Sequence, residues 1–152
     1  KNVLTEVEEK EFFVQIPGLR SILGDRPVLR ALHFFEEEKR VEKQVEALEE
    51  GDFQRFLELV KESGNSSFKY LQNIYINRDE QNQSMSIALG VSESTLQEHG
   101  VSRVHGGGFA GTIQVFVENS FVEEYRKAID HIFGKGSCHV LKVRQVGGIK
   151  AI

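Results

Sequence analysis

Apolar residues recur at helical spacing through the first two thirds of the chain, and the character changes at Val101, with one-by-one alternation at 113–117. Val28, Leu32 and Phe35, then Val41, Val45 and Leu48, predict one long amphipathic helix to about Glu50. Asp25 is placed as its N-cap before Arg26-Pro27, and Gly51 follows its end. Asp52 caps a second helix with Phe53, Phe56, Leu57 and Val60 inward and Gly64 closing it, and a short third helix follows Ser66-Ser67. The polar stretch Arg78 to Ser84 reads as a turn, and Met85 to Gln97 as a helix ending near Gly100.

Beyond Gly100 the period changes to two. Val101 to Val104 reads as a strand, and Ile113, Val115 and Val117 alternate with Thr112, Gln114 and Phe116 in a second. Ser120 and Glu123 have capping-box spacing and open a helix whose buried face is Val122, Tyr125, Ile129, Ile132 and Phe133, stopped at Gly134. A last strand carries Leu141 and Val143 on one face, with Lys142 and Arg144 on the other. The expected fold class is α+β, with helices packed on an antiparallel sheet in an order compatible with a ferredoxin-like sandwich.

Composition narrows the class. The 152 residues fit a single domain, and a net charge of −4 with no basic stripe argues against a nucleic-acid surface. No apolar run has the length of a membrane span. One cysteine, Cys138, cannot form an internal disulfide, which points to a reducing, cytoplasmic home and makes the sequons at Asn65 and Asn82 coincidental. Cys138 reads as a small core residue, and His33, His99, His131 and His139 lack zinc-site spacing, so no metal is expected on this chain. The run Glu36-Glu37-Glu38-Lys39-Arg40 reads as a solvated face with i,i+4 pairing. The chain starts at Lys1, and Lys1 to Phe13 reads as mid-helix, so the chain reads as a piece of a longer protein.

The chemistry concentrates in "RVHGGGFAGTIQVFVE", Arg103 to Glu118. Gly106, Gly108 and Gly111 match the dinucleotide spacing, but that fingerprint needs a helix opening at the glycines, and here a strand follows. Two readings stay open: a loop whose amides form an anion nest or pack against a phosphate loop, and a wide turn without a ligand. Phe109, apolar in mid-loop, suggests a loop packed in place. Arg103 reads equally as a nucleotide-facing cation or an ion-pair partner, and His105 chiefly as a structural residue beside the turn.

This stretch resembles the third conserved motif of the GHMP small-molecule kinase superfamily, which contains galactokinase, homoserine kinase, mevalonate kinase and phosphomevalonate kinase. The likeness is best to galactokinases, through Arg103 and the run Gly106, Gly107, Gly108, Phe109, Ala110, Gly111. Arg30 to Phe34, with Glu37, Arg40 and Val41, resembles the long helix of galactokinase C-terminal domains, and Ser63-Gly64-Asn65-Ser66-Ser67 stands where that family has a Ser-rich turn. Ala110 replaces a glycine usual in the family, and His105 stands where Thr or Ser is common.

The resemblance implies a ferredoxin-like C-terminal domain of a sugar kinase acting on galactose with ATP and Mg2+. The catalytic residues, ATP loop and metal carboxylate would lie in an N-terminal domain that nothing in Lys1 to Ile152 resembles. The glycine loop would back the phosphate loop of that partner domain, so Gly108→Val should lower turnover more than stability. No cofactor is expected to bind tightly to this chain alone, and neither nucleic acid nor membrane is an expected partner. The alternatives are a free-standing regulatory or small-molecule-binding module, or a structural interaction domain.

Overall fold

The computed structural model describes residues 3–109 and 111–143. A short 3-10 turn at Leu4–Glu6 precedes helices α1 (Glu9–Leu23), α2 (Asp25–Glu49) and α3 (Phe53–Ser66), and α3 runs on into a π turn at Ser67–Leu71. Then come α4 (Ser84–Leu96), β1 (Gly100–Val104), β2 (Ile113–Val117) and α5 (Val122–Phe133). The two strands pair antiparallel, with Val101 opposite Phe116 and Val104 opposite Ile113. The fold is α+β, as the change of period predicts.

Strand alternation builds a layered packing. Val104, Ile113, Val115 and Val117 point to one face, where Met85, Leu89, Val91 and Leu96 of α4 and Tyr125 and Ile129 of α5 cover them. On the other face Phe116 meets Phe56 of α3 edge-on, with ring centroids 5.4 Å apart. Helix α3 packs in turn on α2, and α1 joins α2 through Phe12, Val28, Ala31 and Phe35. Buried Tyr125 bonds to the buried Ser92 hydroxyl at 2.7 Å, tying α5 to α4, and burial raises its phenol pKa. The run α4, β1, β2, α5 is compatible with a ferredoxin-like arrangement.

Several local expectations give way to specific contacts. Gly24, at φ 80°, takes the position before α2, while Asp25 is its first residue and accepts a bond from Arg20 Nε at 2.6 Å. That pairing lowers the Asp25 carboxyl pKa and raises that of Arg20. Asp52 does cap α3, accepting from the Arg55 amide at 2.9 Å, but Phe53 is exposed and Leu59 is the fully buried residue. Gly64 does not end α3. A Cβ there would lie 3.0 Å from Arg103 Cβ, so glycine lets helix and strand approach closely. Ser63 and Ser66 lie within α3, and Ser67 opens the π turn.

The stripe Val41, Val45 and Leu48 is half-exposed, because α1 covers the first half of α2 and leaves these three uncovered by the described residues. The predicted capping box is not made. Phe121 takes the cap position, stacked on the His99 ring at 4.4 Å, and Glu123 pairs with Arg126 at 2.8 Å. Ile132 on the same helix is exposed. The final strand does not form over 141–143. Alternation makes a strand only beside a neighbour offering a ladder, and Leu141 and Val143 stand exposed; Arg144 lies outside the described residues. Cys138, half-buried and outside any strand, packs on the Leu96, Tyr125 and Ile129 cluster, where burial raises its thiol pKa. Its amide donates to Asp130 Oδ1 at 3.1 Å, holding the chain after α5.

Candidate functional site

The glycine loop closes the β1–β2 hairpin, beginning where the His105 amide donates to the Thr112 carbonyl at 3.2 Å. It takes positive φ at Gly106 (61°), Gly108 (75°), Phe109 (55°) and Gly111 (77°). Its tip is fastened to a residue the sequence reading did not single out. Asn73, between the π turn and α4, is only 3% exposed. The Phe109 amide donates to the Asn73 main-chain carbonyl at 3.0 Å, and Asn73 Nδ2 donates to the Gly107 carbonyl at 3.2 Å.

Gly108 sits between those two bonds. A Cβ on it would overlap the Asn73 carbonyl oxygen and stand 2.7 Å from Asn73 Cβ, so its lack of a side chain makes the approach. Gly106 and Gly107 meet no atom within 4 Å at a Cβ position and are exposed. Phe109 is therefore held by its backbone, since its ring is 50% exposed. His105 is exposed at the entry to the loop, and Ala110 lies outside the described residues. The pattern of glycines could have suggested a close approach, but nothing in the sequence marks Asn73 as its partner.

Arg103 faces α2 and α3. Its guanidinium lies 3.6 Å from Glu37, and its Nε donates to the Val104 carbonyl at 3.2 Å. Glu37 also accepts from the Ser63 hydroxyl and pairs with Arg40, whose side chain is 11% exposed. Glu37 and Arg40 thus leave the solvated face predicted for them, whereas Lys39 stays on it with Glu9 and Glu36. The pairs within α2 are spaced i,i+3. This half-buried network joins α2, α3 and β1 directly behind the hairpin.

His33 Nδ1 lies 2.9 Å from Ser66 Oγ beside the same network. Burial lowers the His33 pKa, Glu37 opposes that, and the cations Arg40 and Arg103 add to it. The fold therefore favours neutral imidazole. Stability held by neutral His33 is complete above the unfolded pKa of about 6.5 and is lost as pH falls through the lower folded value. Thermal unfolding followed from pH 7.5 to 5 should show a shallower acid loss for His33→Gln than for the wild type. Equal slopes would contradict the assignment.

Within the described residues, then, the molecule is an α+β domain presenting a pinned, solvent-facing glycine loop. No protein-family model matches the chain. It is similar to the galactokinase of Thermotoga maritima, with 35% identity over 143 residues covering 88% of this chain, and to that of Glaesserella parasuis serovar 5, with 30% identity over 132 residues covering 87%. The chain spans 39% of the first relative's length and 32% of the second's. No helix among the described residues is long and apolar enough to cross a membrane.

Proposed function

We propose that this chain is the C-terminal domain of a galactokinase-like enzyme, which transfers the terminal phosphoryl group of ATP to galactose. The observation that carries the reading is a preformed, exposed glycine loop in a chain similar to galactokinases over most of its length. Phosphoryl transfer depends on positioning and on electrostatic stabilisation of the moving group, and successive main-chain amides suit an anion. Residues 105–111 contain no carboxylate, so they fit a phosphate side and offer nothing to hold Mg2+. ATP, Mg2+ and the catalytic base are assigned to an N-terminal domain of the same polypeptide, and galactose as acceptor rests on the relatives' names.

Further support comes from exposed apolar side chains in the loop and in the segment that holds it. Phe109 lies in it, and Phe68 and Ile76, also exposed, belong to the segment that carries Asn73. A domain covering the loop would bury such side chains. The polypeptide detected in source cells with an antibody to this chain should carry roughly 150 to 250 further residues, as a second domain of ordinary size would. A species of the chain's own size would favour the free-standing module instead.

In that full-length polypeptide, Gly107→Ala tests the loop's ligand-facing side, because Gly107, unlike Gly106 and Gly108, is not in the left-handed region and has open space at its Cβ position. Turnover with ATP and galactose should fall about tenfold, as when a positioned donor is disturbed. Stability should change by less than about 0.5 kcal/mol. Unchanged turnover would remove the loop from the site.

A further inference from the structure

We infer that Asn73 is the positioning residue of the glycine loop: its main chain and its amide side chain together set the loop tip that the proposed phosphoryl transfer uses. The inference rests on the kinase reading for its catalytic consequence, but its structural basis is independent.

Asn73 is built as a fixed platform. Gln72 before it adopts φ 52° and its carbonyl accepts from Arg26 Nη2 at 3.3 Å, while Ile74 after it is buried with Met85 and Val104. The chain at this point is thus held from α2 on one side and from the α4 and β1 core on the other. From that platform one bond goes to the Phe109 amide and one to the Gly107 carbonyl, bracketing Gly108.

The residue type matters. A buried position beside Ile74 that served only to fill space would suit an apolar side chain, since burying an amide is costly unless it is bonded. Asparagine supplies the donor that the Gly107 carbonyl requires, whereas aspartate at the same volume would set a carboxylate oxygen against that carbonyl. Asn73 Oδ1 is buried with no hydrogen-bond partner among the described residues. The side chain's one bond among them is therefore the one to the loop, which singles out loop positioning as the use of the amide.

The test compares wild-type full-length polypeptide with Asn73→Asp and, should that variant fail to fold, Asn73→Ala. Hydrogen exchange read by mass spectrometry on a peptide spanning 105–112 should quicken about tenfold in a variant that still unfolds cooperatively, the effect of losing one hydrogen bond. Turnover should fall by about the same factor with the KM for galactose unchanged, because the loop acts on the phosphoryl side. Unchanged loop exchange, or a loosened loop with unchanged turnover, would overturn the inference while leaving an active kinase. A wild-type polypeptide that phosphorylates no sugar would overturn the kinase reading, and this inference's catalytic role with it, even if loop exchange responds.

Discussion

Gly108→Ala is expected to destabilise the protein by about 3 kcal/mol, combining the cost of a side chain at positive φ with that of overpacking. The new methyl group would be driven into the Asn73 backbone, which cannot swing aside as the end of a flexible side chain could. In urea the midpoint should fall with the slope unchanged, and the melting temperature should drop by about 10 °C for a chain of this length. Gly107→Ala is the control one residue away, expected to be nearly neutral for stability. Equal effects of the two would mean that the close approach to Asn73 is not what holds the loop. Gly108→Val, expected from the family resemblance to act on turnover more than on stability, should thus act strongly on stability as well.

Glu37→Ala should have the second large effect. It removes the acceptor of the Ser63 hydroxyl and the partner of Arg40, and it takes away the carboxylate beside Arg103. Arg40, largely buried, is left with Glu62 at 3.7 Å. Breaking a fully buried pair costs about 3 to 5 kcal/mol, and the partial exposure of Glu37 and Arg103 reduces the expectation to about 2 kcal/mol. Glu36→Ala, on the solvated side of the same helix, should change stability by less than about 0.5 kcal/mol. A double-mutant cycle of Glu37→Ala with Arg40→Ala should show a coupling energy of about 1 kcal/mol. Additive losses would place Glu37 outside the network.

The hairpin, its loop and the helices flanking it were legible because their signals are local. The alternation of Ile113, Val115 and Val117 marks a strand, and glycine at 134, with φ 99°, stops a helix wherever the rest of the chain lies. The α2 stripe shows the opposite case. Periodicity identifies an apolar face, but whether Val41, Val45 and Leu48 are covered depends on which element reaches them, and α1 stops short. Gly64 carried an end signal that tertiary packing overrode, since Arg103 of β1 needs the space its missing side chain leaves. Likewise, no spacing rule relates Asn73 to Gly107 across 34 positions, so the loop could be found in the sequence but its support could not.

The proposed role of the glycine loop is phosphoryl transfer in a two-domain galactokinase-like enzyme. The most direct test is the ATP-dependent formation of galactose 1-phosphate by the full-length polypeptide, measured beside the 152-residue chain alone. The prediction is turnover by the full-length protein and none by the chain alone. Full-length protein that folds, binds ATP with Mg2+ and leaves galactose and other sugars unphosphorylated would contradict it.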